Sequence, residues 1–150
     1  MNEVMYKSEN QNWETPDALL NKLDAYYHFD IDVCASDSNH KCTKYWTEED
    51  DCFTKTWEGT CWMNPPYGRG IGKFMRYALE QSRLGCTVVC LVPARTDTKW
   101  WNDTIWDAET VWFIVDRLRF KGAKTGAPFP SAFIVFRNHE GGPKFGFYEQ

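Results

Sequence analysis

The sequence contains no apolar run approaching the length of a bilayer span, and Met1 to Asn12 is polar, without the positive-then-apolar pattern of a secretory signal. A cytoplasmic protein is expected. No C-x-x-C pair occurs among its six cysteines, Cys34, Cys42, Cys52, Cys61, Cys86 and Cys90, and their spacing matches no zinc module. No metal site is expected, and because several lie in apolar runs the thiols read as reduced, small buried hydrophobes. A G-x-G-x-x-G turn is missing after the first expected strand, which argues against a glycine loop cradling phosphates and for a cofactor without them. Basic excess is missing too: a net charge of −4 does not advertise a nucleic-acid partner, although Arg69, Lys73 and Arg76, and Arg117, Arg119, Lys121 and Lys124, form local basic clusters. There is no internal repeat.

What is present excludes disorder, since 43% of residues are hydrophobic and 17% aromatic. The length of 150 residues suits one domain with a sizeable core, taken here as 13–150 behind a flexible lead-in, 1–12. Thr15 and Pro16 read as an N-cap and first helical position, followed by Leu19, Leu20, Leu23, Tyr26 and Tyr27 at helical spacing. Phe29 to Ala35 alternates apolar and acidic residues and reads as a strand ending in the polar loop Ser36 to His40. Asp32 on that strand suits ligand binding at the strand's carboxyl end as well as it suits a solvent-facing acidic edge. Lys44 to Trp46 reads as a short strand, followed by four consecutive acids, Glu48 to Asp51, whose spacing lacks the features of a calcium loop.

Ile71, Phe74, Met75, Ala78 and Leu79 predict an amphipathic helix stopped near Gly85, and Thr87 to Val92 a buried parallel strand. Asp97 is the expected cap of a further helix reaching about Trp106. Val111 to Phe120 and Ser131 to Arg137 read as strands whose link is too short for a crossover helix, so they should close the chain as an antiparallel hairpin. Together these elements predict an α/β sandwich with a mainly parallel sheet.

Asn64-Pro65-Pro66-Tyr67 carries the chemistry. Two prolines fix φ near −65°, push Asn64 into an extended conformation and remove two N–H groups, so the chain leaves its strand as a stiff elbow. The Asn64 amide oxygen and a neighbouring backbone carbonyl then form paired acceptors suited to an exocyclic amino group, and Tyr67 offers a face on which a flipped-out base could stack. Read alone, the four residues fit a proline-rich turn equally well.

The chain resembles the phage-type DNA adenine-N6 methyltransferases, which use S-adenosylmethionine (SAM). The likeness runs from Trp13 to about Arg137 and rests on Trp13-x-Thr15-Pro16, Asp32 to Ser36, Asn64 to Tyr67, Leu91 to Thr98, Arg117 to Phe120 and Ala127 to Ala132. It implies a single-domain, Rossmann-like SAM-dependent methyltransferase. Asn64, Pro65, Pro66 and Tyr67 would be catalytic. Trp13, Thr15 and Pro16 would border the methionine end of SAM, with Asp32 and Ala35 beneath it. Asp50 or Asp51 would meet its adenine, with Phe53 against the ring. Gly68 to Lys73, with Arg69 and Lys73, and the 121–130 loop, with Arg119, Lys121 and Lys124 at hand, are expected to reach DNA. The elbow is shared with methyltransferases acting on protein glutamine and on RNA bases, so the same chemistry on RNA adenine, cytosine-N4 or a protein glutamine is the first alternative, and a non-catalytic SAM- or DNA-binding module is a further one.

Overall fold

The computed structural model describes residues 13–150, and the expected lead-in, 1–12, lies outside the described residues. In chain order the elements are α1 (Asp17–Tyr27), β1 (Ile31–Asp32), a 3-10 turn (Cys52–Thr54), β2 (Thr60–Met63), α2 (Ile71–Arg83), β3 (Thr87–Pro93), α3 (Lys99–Ile105), β4 (Thr110–Ile114), β5 (Ser131–Phe136) and β6 (Lys144–Tyr148). The six strands form one mixed sheet in the order β1-β2-β3-β5-β4-β6. β1, β2 and β3 pair in parallel, β5 runs antiparallel to both β3 and β4, and β6 lies parallel to β4. The α/β class is as expected, and the sheet is mixed, with three of its five pairings parallel and two antiparallel.

The core lies on the central strands. Val88 to Val92 of β3 are fully buried, as are Ala132, Ile134, Val135 and Phe136 of β5, so these segments read as continuous apolar runs. Amphipathic α2 buries Phe74, Met75 and Ala78, ends on Leu84 and turns at Gly85, whose φ of 126° suits glycine. All six cysteines are unpaired thiols, four of them buried, as the absence of paired motifs implied.

Five local expectations change. Pro16, not Thr15, is the N-cap of α1, and it makes no side-chain cap bond because proline has no side-chain acceptor; the Thr15 hydroxyl, one residue earlier, accepts from Asn64 instead. Thr98, not Asp97, precedes α3, its hydroxyl donating back to the Arg95 carbonyl at 2.7 Å. The Phe29 to Ala35 strand shrinks to two residues with flanking ladder bonds, Asp30 to Thr60 and Val33 to Trp62. The short strand at Lys44 to Trp46 is a single parallel bridge of Tyr45 to Asp32. The fifth change is at Val111 to Phe120. That strand ends at Ile114 because Asp116 takes a φ of 65°, a left-handed turn that reverses the chain and lets Leu118 and Phe120 drop into the core.

The expected antiparallel pairing of β4 with β5 is present, but it does not close the sheet. β6 adds a further edge beside β4, behind the Gly141-Gly142-Pro143 turn. Gly146 is required there, since a Cβ would sit 2.7 Å from the Trp112 ring. Ile134, fully buried in β5, tests the core: Ile134→Ala should cost about 2–5 kcal/mol, read as a lowered midpoint in urea unfolding with unchanged slope.

Candidate active site

The parallel strands β1 and β2 end side by side, and the chain beyond each of them opens a cleft of about 360 Å³. It brings together six residues singled out in the sequence: Trp13, Thr15, Asp32, Ala35, Asn64 and Pro66. Cys34, Ser36, Asp37, Asn39, Lys41, Thr47, Glu48, Glu49 and Trp62 complete the lining.

Asn64 leaves β2 through the two prolines and is held from both sides. Its Nδ2 donates to the Trp13 carbonyl at 2.6 Å and to Thr15 Oγ1 at 3.2 Å. The Tyr67 hydroxyl lies 2.7 Å from Asn64 Oδ1 and 3.1 Å from the Leu91 carbonyl and can donate to either. A carbonyl oxygen has two lone pairs, so Oδ1 keeps at least one for another donor. Tyr67 differs from its expected role as an open stacking face: it is 4% exposed, with its ring enclosed edge-on by Phe120 and Phe129. Burial raises its pKa well above the usual phenol range, so the hydroxyl stays protonated and remains a donor.

Asp32 is 3% exposed, which removes the solvent-facing reading. Its Oδ2 accepts the Lys41 N–H at 2.9 Å and its Oδ1 the Cys34 N–H at 3.2 Å, so the carboxylate folds the Ser36 to His40 loop over the end of β1. Burial pushes its pKa up to about 6 against these two bonds, which pull it down. With Asp37, Glu48 and Glu49 also in the wall and Lys41 the single basic side chain, the cleft is acidic. Lys41 in turn sits 3.7 Å from both Glu14 and Asp17.

The acidic run divides. Glu48 and Glu49 line the cleft, whereas Asp50 binds the Thr47 N–H at 2.8 Å and Asp51 the Phe53 N–H at 3.1 Å, both shaping their own loop. Phe53 packs on Phe74 and Tyr77 with the Lys73 ammonium 4.3 Å above its ring. Pro16, Asp50, Asp51, Phe53, Pro65 and Tyr67 are therefore not among the lining residues. Sequence reading did not single out Asn39 or Lys41, and within the acidic run 48–51 it favoured Asp50 or Asp51 where the cleft wall takes Glu48 and Glu49. Its one usable signal was the polar loop after the first strand.

Of the expected DNA contacts, Arg69, Lys73 and Lys124 are exposed. Arg119 donates from Nε to the Ala123 carbonyl at 3.0 Å, and Lys121 faces Asp17 at 3.5 Å and Glu14 at 3.9 Å. The 115–130 loop is stitched to the site by the Lys121 N–H, which donates to the Glu14 carbonyl.

A mixed α/β sheet whose parallel strands end at an acidic cleft beside a proline-stiffened asparagine is consistent with a methyltransferase-like fold. Comparison with known proteins makes this specific. The family described as DNA N-6-adenine-methyltransferase (Dam) matches residues 3–137, and the chain belongs to it. A DNA N-6-adenine-methyltransferase of Haemophilus phage HP1 is 34% identical over 125 residues, 80% of this chain and 72% of that protein. One of Escherichia phage T1 is 32% identical over 108 residues, 69% of this chain and 45% of the relative. No solved structure matches.

The Asp32 carboxyl should titrate with a midpoint near 6 in carboxyl-carbon NMR, far above an ordinary value of 3.8. Because the folded chain holds this proton more tightly than the unfolded one, the stability it contributes is full below pH 3.8 and is lost as pH rises through about 6. A titration midpoint near 4 would contradict the buried assignment.

Proposed function

We propose that the protein transfers a methyl group from SAM to the N6 amino group of adenine in DNA, with the base rotated out of its stack to meet Asn64-Pro65-Pro66-Tyr67. One observation carries this reading: the Asn64 amide is clamped by its nitrogen and keeps a free lone pair on Oδ1 beside an acidic cleft. Family membership supports DNA adenine as the acceptor.

The cleft suits the cofactor by charge. SAM carries a sulfonium and an ammonium against one carboxylate, so an acidic wall of Asp32, Asp37, Glu48 and Glu49 favours it and disfavours phosphate-bearing nucleotides. Trp13, Thr15, Asp32 and Ala35 would surround the amino-acid end, and Glu48 or Glu49, rather than Asp50 or Asp51, would take ribose or adenine donors. When bound, the cofactor supplies a methyl group made electrophilic by its sulfonium.

The chain's own residues prepare the acceptor. The adenine amino nitrogen is a poor nucleophile because its lone pair is delocalised into the ring. Accepting its two hydrogens at Asn64 Oδ1 and the Pro65 carbonyl favours a pyramidal nitrogen and frees that lone pair. Positioning of this kind is worth several kcal/mol and requires no titrating base. Tyr67 acts first through its hydroxyl, which steadies Oδ1. Stacking of the base on its ring requires Phe120 and Phe129, which bracket the 121–128 segment of the loop, to move aside.

Asn64→Ala should lower turnover about a hundredfold or more while leaving SAM affinity within a few-fold, measured by labelled-methyl transfer to DNA, nucleoside digestion and calorimetry. Parental turnover in that variant would sink the assignment, and label recovered in cytosine, RNA or protein glutamine would redirect it.

DNA affinity should fall steeply between about 50 and 200 mM salt, and less steeply once Arg119, Lys121 and Lys124 are all changed to alanine. Binding indifferent to salt, or an unaltered slope in the triple variant, would count against the loop as a DNA contact.

A further inference from the structure

Thr15 breaks a local rule. The Thr15-Pro16 pair predicts a threonine cap with proline in the first helical position, yet Pro16 itself occupies the N-cap of α1 and the helix has no side-chain cap bond. The Thr15 residue is fully buried, and its hydroxyl oxygen accepts from Asn64 Nδ2 instead. Departures from local consistency of this kind concentrate at functional sites.

The geometry at Asn64 explains what is gained. An asparagine amide has nearly the same shape with its oxygen and nitrogen exchanged, but only one orientation presents an acceptor to an incoming amino group. The Trp13 carbonyl can only accept, and it lies 2.6 Å from Nδ2. Rotating the amide by half a turn would bring two acceptor oxygens to that distance. Thr15 takes the remaining contact on the nitrogen side, and Tyr67 offers its hydroxyl to the oxygen side. The Trp13 carbonyl alone excludes the rotated amide; with the amide so placed, Thr15 Oγ1 takes up a second Nδ2 contact and the Tyr67 hydroxyl faces Oδ1.

We infer that the Trp13 carbonyl and the Thr15 hydroxyl form a latch that fixes the orientation of the Asn64 amide. Thr15 is then a positioning residue for methyl transfer, not a helix cap or chiefly a cofactor ligand. The inference rests on the reading of Asn64 as the amino-group acceptor and deepens it. It also accounts for asparagine rather than aspartate at position 64. A carboxylate would keep the acceptor at Oδ1 but place its second oxygen against the Trp13 carbonyl.

The test compares Thr15→Val, which keeps the shape and removes the hydroxyl, with Thr15→Ser, which keeps the hydroxyl. Single-turnover methyl transfer to DNA is measured at saturating SAM, alongside SAM affinity by calorimetry. Thr15→Val should slow transfer about tenfold to a hundredfold with SAM affinity nearly unchanged, and Thr15→Ser should restore most of the rate. A Thr15→Val variant that loses SAM affinity but keeps its saturated rate would make Thr15 a cofactor ligand and overturn the latch. Equal losses in both variants would overturn it as well, since the hydroxyl would not be the cause.

Asn64→Asp provides an arm that does not depend on Thr15→Val folding. At pH 8 it should lose transfer nearly as completely as Asn64→Ala, although it retains an acceptor oxygen. Activity in Asn64→Asp with none in Asn64→Ala defeats the latch alone. Parental activity in Asn64→Ala defeats the underlying reading of Asn64.

Discussion

Three separate parts of the chain converge on one amide. The segment before α1 accepts from Asn64 Nδ2, the elbow after β2 presents the residue, and the Tyr67 hydroxyl lies within reach of both Oδ1 and the Leu91 carbonyl of β3 and can donate to either. The two prolines make this convergence possible. They fix the exit direction of β2 and remove backbone donors that would otherwise compete for nearby acceptors. β3 is fully buried from Val88 to Val92, so the Leu91 carbonyl within reach of Tyr67 belongs to the core of the sheet.

The cleft beside this amide sets two demands against each other. Asp32 must be buried to fold the Ser36 to His40 loop over the strand end, and burial raises its pKa toward neutrality. Its two backbone donors offset part of that cost and keep the carboxyl mainly ionised above pH 6. An acidic wall of this sort is costly while empty, because like charges repel, and becomes favourable when a cationic ligand enters.

Much of this was legible before the structure. The proline pair and the helical spacing after it placed Asn64 at the end of a strand, and the short link after the fourth strand identified an antiparallel pair. What stayed hidden involved choices that local pattern does not determine. Thr15-Pro16 has the pattern of a cap, and only the arrival of Asn64 from 49 residues away shows where the hydroxyl goes. Four adjacent acids look interchangeable, but Asp50 and Asp51 satisfy N–H groups of their own loop while Glu48 and Glu49 face the cleft. The run from Val111 to Phe120 is apolar enough for a strand throughout. It ends early because Asp116 accepts a left-handed turn and the core takes Leu118 and Phe120.

That early ending bears directly on access to the site. Had the strand continued, the segment carrying Phe120 would have been fixed in the sheet by ladder bonds. Instead Phe120 and Phe129 flank an irregular stretch held by a few backbone bonds, Ala123 to Phe120, Ala127 to Leu118 and Lys121 to Glu14. Both rings are buried against Tyr67 and Trp13, so the loop closes over an apolar surface and keeps water from the face of Tyr67. Apolar contact of this kind has no directional bond to break, and an aromatic base entering the same space could replace the buried area it displaces. Polar clamping at Asn64 and apolar closure at Tyr67 thus differ in kind: hydrogen bonds fix the orientation of one amide, while ring packing closes the neighbouring space without a directional bond.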